Sequence, residues 1–179
     1  MIGVRRARDI ALISCFAALT AIGGYLYLPL PFSPVPVTLQ TFFTYLAIDL
    51  LKSKRAALSQ LVYVAMGAFG LPVFAGGGSG VAVLVGPTGG YLLGFIAAAY
   101  LLGLCTEKLK QPSVTWLFAI NLAAFIVICA LGIAVLSYWF GFPQSAYVGF
   151  IPFIPGDAAK AAMAAFIAYK LHPLLGEHL

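Results

Sequence analysis

The chain has 179 residues, 63% of them hydrophobic and only 8% charged, at a mean hydropathy of +1.04. That balance excludes a soluble globular domain and describes an integral membrane protein. Ten Lys and Arg against five Asp and Glu leave a net charge of +5, which in a membrane chain records topology rather than an acidic partner, so no nucleic-acid ligand is expected.

The charges cluster, leaving residues 10–48, 56–106 and 111–156 uncharged. With a hydrocarbon core of ~30 Å, the length holds about six spans of roughly 20 residues. Arg5, Arg6 and Arg8 precede the first apolar run like a signal-peptide n-region, but no cleavage-type site leading into a polar mature domain follows, so this span is expected to be retained. A first helix is predicted from about Ile10 to Leu28, ended by Pro29, Pro31, Pro34 and Pro36, which cannot remain helical. A second runs from about Thr38 to Leu51. The basic turn Lys52-Ser53-Lys54-Arg55 separates it from a third, about Ala56 to Phe69. These two are short for a span, which tilt or shielding by neighbours accommodates.

Residues 71–90 carry Gly76-Gly77-Gly78-Ser79-Gly80 and Gly86-Pro87-Thr88-Gly89-Gly90 and read as a long structured or re-entrant loop. The fourth span covers about Tyr91 to Leu104, the fifth Val114 to Phe140 and the sixth Pro155 to Leu171, with Gly141 to Ser145 breaking the fifth from the sixth. The expected fold is therefore an all-α integral membrane protein of six transmembrane helices, one membrane-embedded domain over residues 1–179, with a glycine-rich outer loop between helices 3 and 4.

Nine of the ten basic residues (Arg5, Arg6, Arg8, Lys52, Lys54, Arg55, Lys108, Lys110 and Lys170) fall on one side of that map, with Asp9, Asp49, Glu107 and Glu177 near the same boundary. The positive-inside rule makes that side cytoplasmic, with both termini inside a plasma membrane. The connections around 29–37, 71–90 and 141–154 are uncharged and face outward. Asp157 and Lys160 then lie alone at the outer end of the sixth span, within apolar sequence, where ionisable groups are costly and usually functional.

Spaced i to i+3, those two share a helix face and can neutralise one another, with Asp157 in the first turn after Pro155-Gly156. A buried salt bridge and a ligand site are both consistent with the spacing. Irregular backbone at membrane depth is tolerated where it lines a cavity, so the three proline- and glycine-rich connections suggest an outward-opening ligand cavity. Thr38, Gln40, Thr41, Ser79, Thr88, Tyr91, Gln144 and Tyr147 lie near the outer ends and can complete it. Ala17 and Ala21, like Ser14 and Ala18, form small-xxx-small pairs on the first span, suited to close packing within the chain or against a second membrane protein.

Cys15, Cys105 and Cys129 are scattered, without the pairing that zinc or redox sites need, and read as packing residues. The chain has no P-loop. Gly77-Gly78-Ser79-Gly80-Val81 begins like a nucleophile elbow but has Val81 where glycine is required, and His172 and His178 lie at the opposite end. No catalytic residues, metal site or cofactor are expected.

Four segments carry a further signal: residues 34–42 (Pro-Val-Pro-Val-Thr-Leu-Gln-Thr-Phe), 70–80, 86–95 and the Pro155-Gly156-Asp157-Ala158-Ala159-Lys160 motif. In this order they resemble the BioY family, the biotin-binding S-components of energy-coupling factor (ECF) transporters. The resemblance implies a six-helix subunit that captures biotin from outside and associates with a transmembrane coupling protein and two ABC-type ATPases, where ATP hydrolysis would occur. It implies biotin contacts at Asp157 and Lys160, with the loop Gly76 to Tyr91 closing the site. The implied site is Asp157, Lys160, Tyr91, Thr88, Ser79, Gly78, Gln40 and Thr38, and the implied docking pair is Ala17 and Ala21. Rival readings are a stand-alone secondary transporter of a small vitamin-like molecule and a membrane enzyme acting on a lipid-soluble substrate.

Overall fold

The computed structural model describes residues 2–109 and 112–175; Lys110, Glu177 and His178 lie outside the described residues, as does the side chain of Arg5. Helix α1, Ile2–Tyr25, is followed by strands β1, Tyr27–Leu30, and β2, Ser33–Thr38. Then come α2, Gln40–Ala68; a 3-10 turn at Ala75–Gly77; α3, Val81–Val85; α4, Gly89–Glu107; and α5, Val114–Phe140. Helix α6, Phe142–Gly149, a second 3-10 turn at Ile151–Phe153, and α7, Ile154–Leu175, complete the order.

Among the described residues, four helical stretches are long and apolar enough to cross a membrane: Arg6–Tyr25, Gly89–Glu107, Val114–Phe140 and Phe142–Pro173. Helix α2 has a different form. Its helical geometry breaks at Lys52, at φ 64° and ψ −172°, the only described non-glycine residue with positive φ. Its two halves fold back on each other, so that Gln40 bonds Tyr63 and Thr44 bonds Gln60. The turn is held by Glu107 at the end of α4, whose carboxylate accepts from both the backbone N–H, at 3.1 Å, and the hydroxyl of Ser53. The backbone N–H is one that the start of a helix leaves without an intrahelical partner.

Three connections differ from the sequence expectation. The all-α reading is corrected by the β1–β2 hairpin, paired antiparallel as Tyr27↔Thr38, Leu28↔Val37 and Leu30↔Ser33, with a bulge between Leu28 and Leu30. The prolines do exclude helix there, ending α1 at Tyr25 rather than Leu28, but they also favour extended backbone in the residues before them. In a two-stranded ribbon each strand keeps an unpaired edge, where a missing N–H costs nothing. Second, α3 forms inside the glycine-rich loop. Third, the segment expected only to break two spans contains α6: Gly141, at φ 77°, terminates α5, and Pro143 sits in the first turn of a new helix, where its missing N–H is harmless.

The core lies where α2 packs on α1, α4 and α7, and α5 on α4 and α7. Close approach of α5 to α4 depends on Gly132, where any Cβ would overlap the ring of Tyr91.

Candidate ligand-binding site

The three uncharged connections meet over a cavity of about 350 Å³, within the roughly 300–1,000 Å³ usual for small-molecule sites. The hairpin supplies Pro34, Val35 and Pro36; the glycine-rich loop supplies Phe74, Ala75, Gly78, Val83 and Thr88; the last connection supplies Phe153. The loop's turns at Gly76, Gly77 and Gly80 have φ of 66°, 81° and 88°, conformations that favour glycine. Phe95 of α4, Phe125, Ile128 and Cys129 of α5 complete an apolar wall, and Phe125 stacks on Phe150 at 5.2 Å between centroids.

Asp157 and Lys160, in the first turns of α7, form the charged end of the cavity and are only 2% and 6% exposed. Lys160 Nζ lies 2.9 Å from Asp157 Oδ2. It also donates to the Thr38 carbonyl at 2.9 Å and to Thr41 Oγ1 at 2.7 Å. An ammonium has three N–H donors, so all are engaged and the lysine ties α7 to the end of β2 and the start of α2. Asp157 Oδ1 accepts from the Tyr45 hydroxyl at 2.9 Å. A carboxylate has acceptor capacity beyond two such bonds, so Asp157 is the member of the pair able to receive a ligand N–H without losing a partner.

Of the residues singled out from sequence, Thr38, Gln40, Gly78, Thr88, Tyr91, Asp157 and Lys160 all line this cavity. Tyr91 donates its hydroxyl to the Gly149 carbonyl at 2.8 Å, so it offers its ring to the cavity. Gln40 bonds the Tyr63 hydroxyl through Nε2 and accepts from Thr38 through Oε1. Ser79 is exposed and outside the lining, because the chain turns away after Gly78; Gln144 and Tyr147 are likewise exposed on α6. Tyr45, Phe125 and Cys129 were not anticipated. Tyr45 follows Thr41 by one helical turn, and that i, i+4 spacing was the one available signal for it.

Ala17 and Ala21 are 1% and 7% exposed, inside the α1–α2 contact. The side of α1 left open carries Ala11, Ser14 and Ala18.

The model of the BioY family matches residues 2–177. The biotin transporter BioY of Thermotoga maritima is 43% identical over 168 residues, covering 93% of this chain and 97% of the relative. The probable biotin transporter BioY of Pyrococcus horikoshii is 38% identical over 166 residues, covering 93% and 97%. The crystal structure of an S-component for biotin from an ECF-type ABC transporter superposes with a TM-score of 0.89 at 29% identity, covering 97% of this chain and 95% of that one. With the family model spanning nearly every residue and the folds superposing along their length, the chain belongs to the BioY family.

Proposed function

We propose that this chain captures biotin from the outer face of the membrane, as the substrate-binding subunit of an ECF-type importer, and delivers it inward with a transmembrane coupling protein and two ATPases. The observation that carries this reading is a nearly buried Asp157–Lys160 pair at one end of an otherwise apolar cavity. Biotin's ureido ring presents two N–H donors and one C=O acceptor, its thioether ring is apolar, and its tail ends in a carboxylate. Asp157 is assigned to a ureido N–H, and Phe95, Phe125 and Tyr91 to the ring system.

The whole chain is read as one membrane-embedded domain with six spans, counting each half of α2. Gln40–Leu51, the first half, has 12 residues and reaches only about 18 Å, so it crosses with help from the hairpin and its neighbours. Both termini are assigned to the cytoplasm. Arg6, Arg8, Lys54, Arg55 and Lys108 support that orientation at one end, and exposed Tyr138, Trp139, Phe142 and Tyr147 form an interfacial aromatic belt at the other. Docking of the coupling protein is assigned to the Ala11–Ser14–Ala18 face of α1.

Equilibrium binding of biotin to the purified chain tests the ligand; no binding sinks the assignment. Uptake by vesicles with and without the ATPases tests the partnership, and uptake unchanged by their removal would identify a stand-alone transporter.

A further inference from the structure

We propose that Asp49 and Asn121 form a second membrane-embedded site, apart from the cavity, whose ligand is a single proton carried on Asp49 Oδ1 and donated to Asn121 Oδ1. The sequence places Asp49 with the boundary acids near Lys52; in the structure it is 0% exposed, as is Asn121 of α5. Asn121 Nδ2 donates to Asp49 Oδ2 at 2.9 Å and reaches the Ala161 carbonyl of α7 at 3.4 Å. Both partners are acceptors, so the amide nitrogen must face them, and the oxygen is fixed as the other terminal atom. Asp49 Oδ1 and Asn121 Oδ1 are both buried and accept no hydrogen bond.

An ionised carboxylate would leave both of these buried acceptors without a donor, in an interior where an uncompensated charge is very costly. A carboxylic acid and a primary amide are complementary: N–H···O on one side and O–H···O on the other close a ring, and one proton satisfies both oxygens. A metal cation would need more oxygen donors than the two left free.

Among the described residues, no ion pair supplies Asp49 with a counter-charge. The two ion pairs among the described residues are Arg55–Asp9 and Lys160–Asp157. Tyr45, one turn before Asp49 on α2, is bonded to Asp157. Glu107 of α4 holds Ser53, and His172 of α7 lies against the Asp49 backbone, not its carboxyl. Lys52 stands at the break of α2 and makes no ion pair with Asp49. A neutral acid–amide pair joins α2 and α5 to the carbonyl just after Lys160 without placing a charge in the membrane.

The test is infrared spectroscopy of the purified full-length chain, with aspartate carboxyls labelled with carbon-13. The chain has three aspartates, Asp9, Asp49 and Asp157, and two of them are ion-paired. At neutral pH the parent should show one label-sensitive carboxylic-acid C=O band that shifts in D2O, survives Asp157→Asn and disappears in Asp49→Asn. Absence of the band from the parent, its loss in Asp157→Asn, or its persistence in Asp49→Asn would overturn the proposal. So would a band removed by sodium chloride but not choline chloride, which would assign the site to a cation. Should Asp49→Asn fail to fold, the labelled parent and Asp157→Asn decide the matter between them.

Discussion

Lys160 gives all three of its donors to the protein, so the two members of the charged pair have different duties. Removing the carboxylate charge with Asp157→Asn should weaken biotin binding by about 1.5–3 kcal/mol, roughly ten- to a hundred-fold, measured by equilibrium binding. Parental affinity would make the pair purely structural. Lys160→Met is expected to act first on stability: it leaves a carboxylate of 2% exposure without its cation, which costs about 3–5 kcal/mol. Adding Asp157→Asn should restore part of that loss in a thermal melt without ligand. A double variant no more stable than Lys160→Met would show that the cation is not there to neutralise Asp157. The pair was legible in sequence because it is the only charge far from the basic clusters. Tyr45 and Asn121 carry no such mark, being uncharged residues of apolar helices whose meaning depends on which helix they face. The partner of Asp49 is hidden in the sequence for a related reason. Only two residues separate Asp49 from Lys52, but the chain turns there and the Asp49 side chain points inward to α5.

At the level of elements, the long apolar runs and their basic or glycine ends locate α4, α5 and α7 closely. The hairpin and α6 escape because proline carries two messages: it forbids helix interiors yet favours extended chain and first turns. The face of a helix is harder still to read. Alternating small residues on α1 offer two candidate stripes, and only packing against α2 tells them apart. Ala17→Leu should therefore overpack the α1–α2 contact and destabilise the chain by about 1–3 kcal/mol, seen as a lowered melting temperature. Ala18→Leu, on the open side, should leave the melt and biotin affinity unchanged while reducing co-purification with the coupling protein. If Ala18→Leu and the parent co-purify equally, the docking face lies elsewhere.

Considered as a whole, the molecule has its cavity at the end that carries no charge besides Asp157 and Lys160, and its other described basic residues lie away from it, which makes orientation a measurable property. Cys15 and Cys105 are exposed and Cys129 is buried in the cavity wall, so all three are replaced by alanine before single cysteines are introduced. Ser79, exposed beside the cavity mouth, Ala75 in its lining, and Lys54, exposed at the basic turn, give three reporters. In intact cells a membrane-impermeant maleimide should label Ser79→Cys readily and Lys54→Cys only after the membrane is opened. Ala75→Cys should react from outside more slowly, and bound biotin should block it while leaving Ser79→Cys reactive, because one position faces the ligand and the other faces water. Labelling of Lys54→Cys in intact cells would reverse the topology. Equal labelling of Ala75→Cys with and without biotin would place the ligand away from the glycine-rich loop, even if the affinity measurements on Asp157 held.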